Sequence, residues 1–190
     1  MGQAIQAQCK QFDFMALDFQ AKTINSNDIS AVIDFSSPAG FIECVNYCLE
    51  HNLPLISGTT GFSEEHLSLI SIAKKSIPIL IASNMSLGIA NLKCSMEEYL
   101  LSISISSKCR IVEIHHTKKK DSPSGTALEI SRFLENLFES KIDGPIEIQS
   151  HRIGNIFGMH RIEFENANGT STFQHIANSR NIFAKGALQA

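Results

Sequence analysis

Ala31-Val32-Ile33-Asp34-Phe35-Ser36-Ser37-Pro38 is the stretch on which the reading of the fold turns. Its first five residues are apolar at every position but one, which fits a strand buried on both faces of a parallel sheet. The two serines and the proline then open a helix. Serine supplies a hydroxyl for the cap, and proline suits a first turn that needs no amide hydrogen. The same unit recurs downstream. Pro54-Leu55-Ile56-Ser57 predicts a second strand, turned by Gly58-Thr59-Thr60-Gly61 into a helix from about Ser63, with Glu64 and Glu65 where the helix dipole favours acids. Pro78-Ile79-Leu80-Ile81-Ala82 predicts a third strand, and Ser83-Asn84-Met85-Ser86 leads into another helix. Strands alternating with helices imply βαβ units and a parallel sheet. Such sheets bind ligands beyond the carboxyl ends of their strands, and Asp34, Gly58 to Gly61 and Asn84 all fall at that edge.

The second half changes character. Residues 110–115 and 146–151 alternate like half-exposed strands, and residues 159–164 and 170–175 flank Asn168-Gly169, a strong hairpin signal. One amphipathic helix, from about Ser124 to Glu139, interrupts them, with Leu128, Phe133, Leu134 and Leu137 as its core candidates. The fold class is therefore α/β, a parallel-sheet domain followed by a mixed α+β domain. The last segment, residues 182–188, reads as helical.

Composition sets the outer bounds. The chain has 190 residues, 43% hydrophobic and 18% charged, with a formal net charge of -3. A mildly acidic balance lacks the clustered basic surface that nucleic acid requires. No run approaches the roughly 18 apolar residues of a membrane span, and the start has no signal-peptide shape, so a cytoplasmic location is expected. Five cysteines form no metal-ligand rhythm, and Cys44 and Cys48 read as a buried thiol pair rather than a zinc half-site. No metal is expected.

The richest chemistry lies in Glu113-Ile114-His115-His116-Thr117-Lys118-Lys119-Lys120-Asp121-Ser122-Pro123-Ser124-Gly125-Thr126. A strand ends at two histidines, a basic loop follows, and a helix begins at Ser-Gly-Thr. The free N–H groups of that helix start and two hydroxyls make an anion site, and Gly125 allows close approach to the backbone. Lys119 adds positive charge, and His115 or His116 could move protons near neutral pH. Alone, Ser-Gly-Thr would be an ordinary capped helix. With two histidines and a lysine converging on it, it points to a small carboxylate substrate that takes up a proton. Gly58 to Gly61 alone would be a structural turn; in register with Asp34 and Asn84 it suits a floor for a nicotinamide and its ribose. His51 and His66 read as surface residues, and His151 and His175 as structural ones.

His115-His116-x-x-Lys119-x-Asp121-x-Pro123-Ser124-Gly125-Thr126 resembles the signature of the dihydrodipicolinate reductases. Ile33-Asp34-Phe35-x-x-Pro38, Gly58 to Phe62, Asn84-Met85-Ser86-x-Gly88, Arg152-x-Gly154, Gly158-x-His160 and Phe183-x-x-Gly186-Ala187-Leu188 follow in that family's order. The resemblance implies a Rossmann-like nucleotide-binding domain over residues 1–86 and 180–190. It implies a substrate-binding and tetramerisation domain over residues 87–179, and a homotetramer. The implied reaction is reduction of 4-hydroxy-tetrahydrodipicolinate (dihydrodipicolinate), a small dicarboxylate, to tetrahydrodipicolinate by NADH or NADPH, in diaminopimelate and lysine biosynthesis. Carried over by position, His115 and Lys119 are catalytic. His116, Lys119, Ser124, Gly125 and Thr126 hold substrate carboxylates. Gly58, Thr59, Thr60, Ala82, Ser83, Asn84 and Met85 line the nicotinamide side of the cofactor site. His160 belongs to a family motif and is expected to support the substrate loop or the domain interface.

One departure matters. The family's first domain opens with a strand and a glycine-rich turn ending Gly-x-Met-Gly, which brings backbone close to a pyrophosphate. Met1-Gly2-Gln3-Ala4-Ile5 is similar to the tail of that motif, and the preceding strand is missing. A start assigned inside the motif is the favoured expectation, because the catalytic motifs are intact. The rival is a truncated, catalytically impaired relative acting only as a binding or interaction protein. A possible strand over residues 12–17 would place Asp18 where an acid could contact the adenosine ribose and favour NAD.

Overall fold

The computed structural model describes residues 1–16 and 28–190, which form two compact units: Met1–Met85 with Phe183–Ala190, and Ser86–Ile182. In the first unit, β1 (Val32–Asp34), β2 (Leu55–Ser57) and β3 (Ile79–Ile81) form a parallel sheet in that order. The crossovers are α2 (Pro38–His51) and α3 (Glu64–Ala73). The Ser37 hydroxyl accepts from Gly40 N and Pro38 occupies the first turn of α2, as the residue types dictate. Leu55, Phe41, Val45 and Cys48, all fully buried, anchor the core beneath this sheet. Cys44 and Cys48 are free and buried. Burial pushes their thiols up, to about 12 and about 11, with Asp34 adding to the shift of Cys44.

A second cluster joins α1 (Gly2–Cys9) to α6 (Asn181–Gln189) through Ile5, Cys9 and Ala184. The strand anticipated over residues 12–17 does not form in its described part. Lys10–Phe12 prolong α1 as a 3-10 turn, and Asp13, at φ 58°, ends it in the left-handed region. Phe14 N donates to Cys9 O, so local hydrogen bonding takes the groups a strand would need. Asp18 lies outside the described residues.

The second unit holds α4 (Leu87–Ser102), β4 (Lys108–His115), α5 (Gly125–Phe138), β5 (Glu147–Arg152), β6 (Met159–Asn166) and β7 (Gly169–Ile176). The sheet order is β5-β4-β6-β7. β4 and β5 run parallel across the α5 crossover, and the other pairs are antiparallel. The β6–β7 hairpin turns at Gly169, whose φ of 120° only glycine adopts readily.

Along β4, residues 109, 111, 113 and 115 share one face. Cys109 and Ile111 pack with Ile162, Phe164 and the inner faces of α4 and α5. Each large apolar side chain fully buried there contributes about 1.5–3 kcal/mol. The buried stripe of α5 runs through Ala127, Ile130, Ser131, Leu134 and Phe138. Leu137, expected in the core, is 62% exposed, because the helical turn carries it to one side of that stripe. Leu128 and Phe133 are only half-buried.

Candidate active site

Two steps beyond Ile111, the inner face of β4 stops being apolar and presents Glu113 and His115. Strand register supplies the rest of the cluster. Glu113 lies opposite His160 of β6, and His115 lies opposite Arg152 of β5. Glu113 is 0% exposed, and both of its oxygens are engaged. The Nδ1–H of His115 donates to Oε2. Oε1 accepts from Ser124 N at 3.2 Å and pairs with the Arg152 guanidinium at 3.0 Å. Burial alone would raise this carboxyl, but the hydrogen bonds from His115 and Arg152 outweigh it and hold Glu113 down to about 2.

The other edge of the His115 ring faces Gly158. A Cβ at that position would sit 3.0 Å from His115 Nε2, so the glycine leaves this nitrogen open. His160 meets the His115 ring edge-on at 5.1 Å between centroids, and its Nε2 pairs with the Ser124 hydroxyl at 3.2 Å. Burial foremost, with the charge of His115, pushes His160 down to about 3, so it is neutral at physiological pH. It buttresses the start of α5.

Ser124 is the N-cap of α5, and its buried hydroxyl accepts from Ala127 N. That hydroxyl is thus engaged within the fold. Gly125 and Thr126 form the first helical turn, with Thr126 buried. The basic loop turns back through Lys119 N donating to His116 O, and Lys119 Nζ lies 2.9 Å from Asp121 Oδ2. Partial burial raises Asp121, but the bonds from Lys119 and the Gly125 backbone hold it below the usual carboxylate range. The chain's own Asp121 carboxylate therefore lies against the start of α5. Burial, then the charges of Arg180, His115 and Lys119, lower the His116 imidazole. Ile153 N donating to His115 O and Thr117 N donating to Gly154 O stitch this loop to the one after β5.

In the first unit, the strand-end edge is organised by Asp34, which is 2% exposed. Its Oδ2 accepts from the Ser57 and Thr59 hydroxyls, both at 2.7 Å, and its Oδ1 from Ser36 N and Oγ. Gly58 N donates to Asp34 O, and Ala82 N to Ser57 O, which carries the sheet ladder into both turns. A Cβ on Gly58 would fall 2.1 Å from the Phe35 ring, so glycine is required there for packing. Thr60 is exposed, while Thr59 points inward to Asp34. Ala82, Ser83 and Asn84 are half-buried at the end of β3, and Met85 is buried with its carbonyl against Gly186.

Glu113, Arg152 and Asp34 carry no assigned site role in the sequence reading, although all three stand in quoted motifs. A strand acid two residues before a histidine was the available signal for Glu113. His66, expected at the surface, is half-buried. It completes a capping box with Ser63 and places Nε2 3.2 Å from Pro38 O. Glu113, His115 and His160 bring three polar atoms within 4.8 Å of one another, but both Glu113 oxygens are already taken by His115, Ser124 and Arg152, so the cluster is a hydrogen-bonded one. Among the described residues, no helix is long and apolar enough to cross a membrane.

Comparison with known proteins decides the family. The family described as dihydrodipicolinate reductase, N-terminus, matches residues 1–85, and dihydrodipicolinate reductase, C-terminus, matches residues 90–190. The chain belongs to the dihydrodipicolinate reductase family. A 4-hydroxy-tetrahydrodipicolinate reductase of Alkaliphilus metalliredigens is 37% identical over 172 residues, covering 84% of this chain and 72% of its own length. One from Rickettsia canadensis is 34% identical, covering 100% and 86%. The dipicolinate-bound reductase structure from Paenisporosarcina sp. TG-14 superposes with a TM-score of 0.64 at 24% identity, covering 84% of this chain and 66% of that one. That match establishes the α/β fold, a Rossmann-like parallel sheet plus a mixed sheet. Aspartate semialdehyde dehydrogenase II of Vibrio cholerae shares the fold more distantly, with a TM-score of 0.61 at 9% identity.

Proposed function

We propose that the chain reduces 4-hydroxy-tetrahydrodipicolinate to tetrahydrodipicolinate with NADH or NADPH, in diaminopimelate and lysine biosynthesis. Membership of the family and relatives bearing that activity in their names support the reaction. The single observation that carries the site reading is the His115 ring. Its Nδ1 is held by a buried carboxylate and its Nε2 is open, and the same carboxylate ties the ring to the start of α5.

The carboxylate bound at Lys119 and Gly125 stands in for one carboxylate of the substrate. His116, Lys119 and the Ser124-Gly125-Thr126 start hold the dicarboxylate, with Ser124 acting through the cap that fixes the helix start. Lys119 and the helix dipole offset the negative charge that develops on the ring. Water leaves the hydroxylated ring to open a conjugated double bond. A hydride and a proton then add across a ring double bond, the proton from Nε2 of His115.

The first unit is assigned to the dinucleotide, with Gly58, Thr59, Thr60 and Ala82 to Met85 along the nicotinamide. The residues fit that group in one respect: the turns after β2 and β3 are braced from inside by Asp34, so a flat ring would meet a fixed surface. The nicotinamide, when bound, supplies the hydride. The second unit is assigned to the substrate and to assembly of a homotetramer, and the enzyme to the cytoplasm.

The test is to titrate the full chain with NADH and NADPH, following nicotinamide fluorescence with and without pyridine-2,6-dicarboxylate. Nucleotide binding that tightens with the dicarboxylate, together with turnover of the hydroxylated substrate, is the expected result. Failure of both nucleotides to bind would sink the assignment.

A further inference from the structure

We propose that Glu113 is a positioning residue for this reduction, setting the tautomer of His115 through one carboxylate oxygen and the place of the substrate-binding helix start through the other. The proposal rests on the reading of His115 as proton donor. The two oxygens have separate duties. Oε2 takes the Nδ1–H of His115, while Oε1 takes the backbone N–H of Ser124, the residue that caps α5. A single buried group thereby ties the proton donor to the anion site.

The chemistry needs such a tie. A neutral imidazole can carry its proton on either nitrogen, and a donor must present it at Nε2. With Nδ1–H committed to Glu113, the ring gives its second proton from Nε2 and is left in the tautomer that is ready to be recharged. No ring rotation is required between turnovers. The carboxylate also offsets the positive charge of the doubly protonated ring in a place that water does not reach. Arg152 completes the device. By pairing with Oε1 it makes Glu113 a poor proton acceptor, so the proton stays on the ring that must deliver it. The other titratable groups around the ring are His160 from β6 and His116 from the loop before α5, with Lys119 and His175 acting in turn on His160.

A merely structural carboxylate would be replaceable by an amide of the same shape, and this separates the two readings. Steady-state rates of Glu113→Gln, His115→Ala and Arg152→Gln are measured across pH in the full chain, with dipicolinate affinity and thermal unfolding followed in parallel. Glu113→Gln should lower kcat about 10²-fold and change dicarboxylate affinity by less than about threefold. The alkaline limb of its kcat/KM profile should move to lower pH, because an amide in place of the carboxylate removes a negative charge from beside the donor. Arg152→Gln leaves the carboxylate unopposed, so its limb should move the other way. It also serves as the test if Glu113→Gln does not fold. A wild-type kcat and an unmoved limb in Glu113→Gln, with His115→Ala impaired, overturn this proposal alone, as does an unmoved limb in Arg152→Gln. Wild-type rates in His115→Ala overturn the donor reading beneath it.

Discussion

Asp34 and Glu113 are both buried acids at or near the carboxyl end of a strand, and each binds together the loops around it. They differ in what they hold. Asp34 accepts from three hydroxyls and a backbone N–H, all neutral, and the product is a braced pair of turns. Glu113 holds an imidazole, a guanidinium and the N-cap of a helix, so its surroundings titrate and carry charge. The same device therefore makes a rigid, neutral edge in one unit and a charged cluster around an imidazole in the other. The type of donor recruited decides which.

The sharpest challenge to that contrast removes chemistry from the second unit alone. Lys119→Ala should lower kcat/KM by about 10²–10⁴-fold while leaving the melting curve unchanged, since the ion pair that Lys119 makes is with the exposed Asp121. Wild-type kinetics in the purified variant would remove Lys119 from the site. Asp34→Ala should do the reverse, costing about 2–4 kcal/mol of stability by stranding the Ser57 and Thr59 hydroxyls. Urea unfolding checks it, and an unchanged midpoint would mean the hydroxyls find other partners. Gly58→Ala is a smaller perturbation of the same edge, about 1–3 kcal/mol from the clash with Phe35, and Phe35→Leu should relieve part of it.

The contrast also has a pH signature. The imidazole of His160 is depressed to about 3 in the fold against an ordinary value near 6.5. The unfolded chain therefore takes up that proton first. Stability from His160 is complete above about pH 6.5 and is lost as pH falls toward 3. Glu113, held to about 2, adds a second loss from about pH 4.3 downward. His160→Gln should flatten the fall in urea midpoint between pH 7 and pH 5, and an equally steep fall would assign it elsewhere. The smallest effect is expected at Leu137→Lys on the exposed side of α5, within about 0.5 kcal/mol of the parent by the same unfolding.

Much of this was legible beforehand. The three parallel strands, their crossover helices and the β6–β7 hairpin follow from apolar runs punctuated by Ser-Pro, Gly-Thr-Thr-Gly and Asn-Gly, whose backbone preferences are local. No strand forms over residues 12–16 because the helix end beside them competes for the same backbone groups. Leu137 failed because a helical stripe is narrower than the set of apolar residues on it. His66 has a second role that its surface position hides, because a capping histidine reads like any surface histidine until its serine partner is seen to bond it.

The residues His115, His116 and Lys119 and the start at Ser124 to Thr126 were visible because strand, loop and helix start are contiguous in the chain, and helix termini have the same unsatisfied N–H groups wherever they occur. Contiguity could not show what stands behind them. Glu113 meets Arg152 and His160 only because β5 pairs parallel and β6 antiparallel to β4 in one particular register. A shift of one residue would turn every one of these side chains to the other face. Sequence determined which elements form and which groups their ends expose, since those depend on neighbours along the chain. Tertiary structure decided which carboxylate faces which imidazole, because strand pairing is settled by the burial of Ile111, Ile162 and Phe164 far from the charges it brings together.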